Sequence, residues 1–379
     1  MAQQARWRAF SRVGHRWAGL VLGAWLAVVG VSGALLTYRV ELLAWANPGV
    51  SQVALRPGPV LTPGALLARL PASLHGRPIA TLTMFAQAGA APRLILAEVP
   101  GQPAQERVFF LDPYTGQPRA QHGETVFETI EALHRWLLLP KEPGRWVVGS
   151  LALVLLLMGA TGLVVRSPRR GARLSAWARM FKVDWRLRGR AFWWSLHSAL
   201  GVWLLPVYLL SSVTGVYWAF DSVRVATHAA VGAAPPQRMP RQPGPVDTST
   251  AQELERAWQA LNDAGVDWTS ASLRPSRAPG HPVQITWLAA DAFHDRERNL
   301  MQIAPHSGML ERDVRHAAQS AGERVVRWVH PLHTGSWAGT VSRAVMLLAS
   351  LALLLFVATG WWLYAQRPQQ RERVQVRSA

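Results

Sequence analysis

The 379-residue chain contains no cysteine. That excludes disulfides, thiolate metal sites, iron–sulfur ligation and haem attached covalently through C-x-x-C-H. Compartment does not follow, because a protein facing an oxidising space can do without cysteine. Acidic residues are scarce too: 22 Asp and Glu stand against 40 Lys and Arg, a formal net charge of +18. No G-x-G-x-x-G opens a strand–helix–strand unit, so neither a flavin nor an NAD site is expected. What is plentiful is apolar surface, with 50% hydrophobic residues and 19 Trp.

Four segments are long and apolar enough to span a bilayer, which takes roughly 20 residues. They run from about His15 to Tyr38, Trp146 to Val165, Phe192 to Phe220 and Thr340 to Tyr364. Basic residues gather on one side of them. Residues 1–18, 166–190 and 365–379 hold +4, +8 and +3, together 15 of the 18 net charges. By the positive-inside rule that side is cytoplasmic, with both termini on it. The chain then reads as a multi-pass membrane protein, in contact with membrane lipid, divided at about residues 42, 145, 166, 190, 220, 338 and 365. Charge confined to span flanks is not the basic groove or helix face of a nucleic-acid binder, so no nucleic-acid partner is expected. The first apolar run is too long for a cleaved signal peptide and lacks a small-residue cleavage site. The Trp pairs 193–194 and 361–362 suit interfacial anchors.

Two sizeable segments, 43–145 and 221–338, fall outside the cytoplasm, and both read as α+β units. In the first, “TPGALLARL” (62–70) looks like a helix with Thr62 at the N-cap and Pro63 in the first turn. “RLILAEVP” and “RVFFLDPYTG” follow as strands, with a turn at Asp112-Pro113-Tyr114-Thr115-Gly116. The second segment repeats the plan. A helix is expected over 248–265, strands in “VQITWLAA” and “NLMQIAPHSGML”, and a turn at Pro305-His306-Ser307-Gly308. The expected fold is an α-helical integral membrane protein of four transmembrane helices plus two α+β units, with an internal two-fold repeat.

The spans repeat as well. Aligning His15 with His197 brings Gly19 onto Gly201 and Ser32-Gly33 onto Thr214-Gly215. His134 precedes the second span and His333 the fourth, each after a Leu. Arg145 and Arg343 stand seventeen residues before Gly162 and Gly360, and each of these glycines follows a Thr.

“GHRWAGL”, “LHRWLLLP”, “SLHSALGVWLLPVYLLSSVTGVYWAF” and “PLHTGSWAG…VATGWW” resemble the PepSY-associated transmembrane family over about residues 10–366. “FFLDPYTGQP” looks like the end of a PepSY unit, whereas the second unit has Ala304 where the first has Asp112, so that unit is read as structural. The four-span layout is similar to inner-membrane siderophore reductases of the FoxB type. The resemblance implies two PepSY-like periplasmic units, two non-covalent haem b groups and reduction of a ferric siderophore at the periplasmic side.

The histidines suit that chemistry. Two axial imidazoles must face each other across a b-type haem. His15 and His197 begin related spans at the cytoplasmic end, and His134 and His333 precede the other pair at the periplasmic end. His330 lies one turn from His333 on the same helical face and competes for the outer iron. Gly14, Gly19, Gly201, Gly335 and Gly339 would let a flat ring approach the backbone. Arg16, Arg145 and Arg343 are placed either to pair with propionates or to snorkel to lipid phosphates. The other histidines, among them His294 and His316, read as surface. Without a nucleotide site, electrons must come from an unidentified donor, a quinol or another reductase. A membrane-anchored regulatory or binding protein without redox activity is the alternative. A transporter is disfavoured, because broken mid-membrane helices and buried charges are missing.

Overall fold

The computed structural model describes residues 2–97, 107–168, 171–235, 244–245, 248–276 and 281–367. Arg169, Arg170, the tail beyond 367 and residues 98–100 at the end of one expected strand lie outside the described residues. The helices are α1 (Ala2–Thr37), α2 (Arg39–Ala46), α3 (Pro63–Ala68), α4 (Glu124–Trp136), α5 (Lys141–Arg166), α6 (Leu174–Ala178), α7 (Gly189–Ala219), α8 (Asp221–Ala230), α9 (Thr248–Asp263), α10 (Ala321–Thr334) and α11 (Gly339–Ala365). The strands are β1 (Pro78–Phe85), β2 (Arg93–Leu96), β3 (Val108–Leu111), β4 (Pro118–Ala120), β5 (Gly244–Pro245), β6 (Trp268–Arg274), β7 (Val283–Ala289), β8 (Arg298–Ile303) and β9 (Leu310–Val314). They fall into two compact units: residues 1–34, 134–219 and 345–379 form the helical unit, and 35–133 with 220–344 the sheet unit.

Four helical stretches are long and apolar enough to cross a membrane, Ala5–Thr37, Lys141–Arg166, Gly189–Ala219 and Ser336–Ala365, close to the four expected spans and mostly in the helical unit. The first helix starts well before the apolar run, because helical hydrogen bonding does not stop where hydrophobicity does. Small residues set the crossings, as expected where lipid competes equally for apolar side chains. A Cβ at Gly30 of α1 would stand 2.9 Å from the Ser350 carbonyl of α11, and one at Gly159 of α5 would stand 2.8 Å from Leu205 of α7. Tyr208 of α7 donates its hydroxyl to the Ala349 carbonyl of α11 at 2.8 Å. The α7 helix continues through Pro206 over 31 residues. Between α5 and α7 the short connection folds back: Trp203 Nε1 donates to Phe181 O at 2.9 Å, and the Asp184 amide to Ser195 Oγ at 2.9 Å. Trp194, Trp361 and Trp362 are exposed.

In the sheet unit, the two expected helix-and-strand segments, α3 with β1–β4 and α9 with β6–β9, share a single antiparallel sheet. Strand order is β4-β3-β2-β1-β6-β7-β8-β9, with β5 also on β1. The seam is the antiparallel β1–β6 pair, Leu82 opposite Leu273 and Phe85 opposite Ser270, with Thr83 Oγ1 and Ser272 Oγ bonded across it at 2.9 Å. One core holds Leu66 of α3 and Leu70 just after it, Leu254 and Leu261 of α9, and Leu82, Leu94, Leu273 and Ile285 of the strands. The seam exists because β1 and β6 would otherwise each end a four-stranded sheet with unpaired amides and carbonyls. Both expected turns form. Asp112 Oδ1 accepts from the Tyr114 and Thr115 amides at 3.0 and 3.1 Å, and Gly116 and Gly308 take positive φ. Thr62 does sit before α3, but its side chain makes no capping bond.

Candidate functional site

His15 lies in α1 and His197 in α7, and tertiary packing brings their rings to 6.3 Å between centroids, with planes at 81°. Each ring is held at Nδ1. His15 Nδ1 lies 3.0 Å from the Met158 carbonyl and 3.3 Å from Thr161 Oγ1, both on α5. A carbonyl only accepts, so this nitrogen carries the proton. His197 Nδ1 lies 2.6 Å from Thr359 Oγ1 of α11. The Thr359 hydroxyl donates to the Leu355 carbonyl at 2.7 Å, so it accepts from the imidazole and His197 too is the Nδ1–H tautomer. That leaves each Nε2 as a lone-pair donor, and no hydrogen bond reaches either Nε2 among the described residues. The ring of His197 also lies edge-on to Phe356, at 4.9 Å.

His134, near the end of α4, is anchored in the same manner. Its Nδ1 donates to the Val29 carbonyl at 2.9 Å, with Ser32 Oγ at 3.4 Å. Glycines make room for these rings. A Cβ at Gly33 would stand 2.9 Å from His134 Cε1, and one at Gly162 would stand 3.1 Å from His15 Cε1. Gly14 has open space, and a Cβ at Gly201 would touch only Phe356.

The remaining expected residues fall as follows. His333 lies in the last turn of α10, in the sheet unit. His330, one turn earlier, has a buried Nδ1 without a hydrogen-bond partner, and burial with Arg296 beside it pushes its pKa down to about 4. Gly335 serves as the left-handed C-cap of α10, with φ 76°, and Gly339 follows at φ 63°. Arg343 forms a two-pronged ion pair with Glu41 at 2.5 and 2.7 Å and donates to the Thr37 carbonyl at 2.6 Å. Arg145 pairs with Glu142 at 2.9 Å on its own helix. Arg16 lies over Trp17, and its Nε is buried without a partner. His294, expected at the surface, is 4% exposed and packs edge-on against Trp328 at 4.6 Å.

A family model described as PepSY-associated TM region matches residues 13–367. The chain belongs to that family. No curated protein matches it. Haem, which the sequence resemblance implies for this PepSY-associated TM chain, can be tested against the inner pair. Two imidazoles sharing one iron through bonds of about 2 Å stand about 6 Å apart by their centroids, in keeping with the 6.3 Å found. A bare ion needs more ligands than two histidines, and no group of three or more His, Asp or Glu is set to hold one among the described residues. Iron already held by a macrocycle needs only the two. Arg16, next to His15, offers an unsatisfied donor to an acid group. The residues fit. In the sequence, Thr161, Thr359 and Ser32 stand out only as parts of the repeat, each directly before a glycine. The hydroxyl–glycine dipeptide was the signal for their contact with imidazoles.

Proposed function

We propose that the protein is a haem-b-dependent oxidoreductase of the inner membrane that passes electrons across the bilayer to a ferric siderophore and releases Fe(II) on the periplasmic side. The observation that carries this reading is the His15–His197 pair, with each ring fixed at Nδ1 and each Nε2 free. Haem b bound between them supplies reversible one-electron transfer. In the sequence repeat, His134 is matched with His333. Arg16 supplies a cation for a propionate, whereas Arg145 and Arg343 already have carboxylate partners. Phe356 covers one side of the His197 ring, edge-on at 4.9 Å. The basic segments put the termini and the 167–190 connection in the cytoplasm and the sheet unit in the periplasm. Electrons enter from a quinol or another reductase. Reduction suits release, because oxygen donors that hold hard Fe(III) bind Fe(II) far less tightly.

The test is an absorbance spectrum of detergent-purified protein, followed by mixing the reduced protein with a ferric siderophore and an Fe(II) trap. Dithionite-reducible Soret and α bands, and reoxidation matched by trapped Fe(II), are expected. Absence of the bands would overturn the reading in favour of a membrane-anchored binding or regulatory protein. Reoxidation by quinones but by no ferric chelate would reverse the direction of electron flow.

A further inference from the structure

The three anchored imidazoles are not held alike. His15 and His134 give their Nδ1 protons to backbone carbonyls, of Met158 at 3.0 Å and Val29 at 2.9 Å, with Thr161 and Ser32 hydroxyls farther off at 3.3 and 3.4 Å. His197 has no carbonyl partner for Nδ1 among the described residues, and its bond goes to Thr359 Oγ1, at 2.6 Å. The Thr359 side chain is itself fixed: it is 3% exposed, and its hydroxyl proton is committed to Leu355 O at 2.7 Å. Its lone pair therefore faces His197, and nothing else on the ring selects the tautomer.

We propose that Thr359 is the positioning residue for His197: its hydroxyl holds the ring as the Nδ1–H tautomer, leaves Nε2 as the ligating nitrogen, and raises the basicity of that nitrogen. This deepens, and rests on, the assignment of His15 and His197 to haem. Partners that bond the far nitrogen of a ligating imidazole fix its orientation and strengthen it as a donor. Thr161 is the internal control. Its loss leaves the Met158 carbonyl in place on His15, so the two threonines, matched in the sequence repeat, have unequal weight.

Two measurements on the full-length protein in detergent decide this. In haem-free protein labelled with 15N-histidine, His197 is expected as the Nδ1–H tautomer in the wild type and as a mixture in Thr359→Val. In haem-loaded protein, Thr359→Val is expected to weaken haem retention about tenfold. It should also shift the inner couple to higher potential, because a less basic imidazole favours Fe(III) less. Thr359→Ser should restore both, and Thr161→Val should change neither by more than a small fraction. Thr359→Ala gives a second hydroxyl-free variant if the valine protein does not accumulate. Unchanged tautomer, retention and potential in either hydroxyl-free protein would overturn the role of Thr359. A wild-type protein that takes up no haem would overturn the haem assignment itself, before any variant is compared.

Discussion

Gly33 lies so close to His134 that an added Cβ would stand 2.9 Å from the imidazole Cε1. The glycine is the space the ring occupies, and the neighbouring Ser32 hydroxyl approaches the same ring. At Gly162 the clearance to His15 Cε1 is slightly larger, 3.1 Å, and at Gly360 nothing lies within 4 Å. Gly33→Ala is expected to force His134 aside at a cost of about 1–3 kcal/mol, visible as a lower unfolding temperature in detergent. Gly162→Ala should do less, and Gly360→Ala should leave stability unchanged or raise it by up to about 1 kcal/mol through helix propensity. A Gly360→Ala protein as damaged as Gly33→Ala would refute this steric account.

On the proposed haem assignment, replacing His15 or His197 by Ala is expected to lower haem per polypeptide to about half, because each change would remove one of the residues that hold one of two groups. On the same assignment, His333→Ala should lose haem and His330→Ala should keep it. Haem content measured by pyridine haemochrome against protein mass separates these outcomes, and loss confined to His330→Ala would exchange the two residues.

The low pKa of His330 gives stability a pH dependence. Its ordinary value is 6.5 and its folded value about 4, so between these the unfolded chain binds a proton that the folded chain refuses. Its contribution is fully present above about pH 6.5 and declines as pH falls towards 4. His294, lowered by burial despite Glu297 and Asp295, acts in the same direction. Unfolding midpoints across pH 4–7 should therefore fall on the acid side, and His330→Gln should flatten the slope without abolishing it.

Orientation in the membrane rests on the basic segments at 1–18, 166–190 and 365–379. A reporter active only in the periplasm should be silent when fused after Ala379 and active when inserted near Gly265, at the exposed turn after α9. The reverse pattern would turn the whole assignment over.

The sequence by itself determined the four spans, since twenty apolar residues in a row have few alternatives in water. It determined the turns at Asp112–Gly116 and at Pro305–Gly308, where proline and a positive-φ glycine dictate the backbone locally. The hydroxyl–glycine pairs and the histidines stood out through internal repetition. Tertiary structure decided what lies far apart in the chain. The β1–β6 seam joined two segments into one sheet, because backbone hydrogen bonding between strands leaves little trace in side-chain pattern. It gave Arg343 to Glu41, 302 residues away, although the sequence offered propionates or lipid phosphates. It buried His294, since burial depends on Trp328 and α10 rather than on the polar loop around it. It also decided that His197 depends on a hydroxyl and His15 on a carbonyl. Local sequence encodes hydrophobicity and backbone sterics, whereas the partner of a given imidazole is set by which helix faces meet.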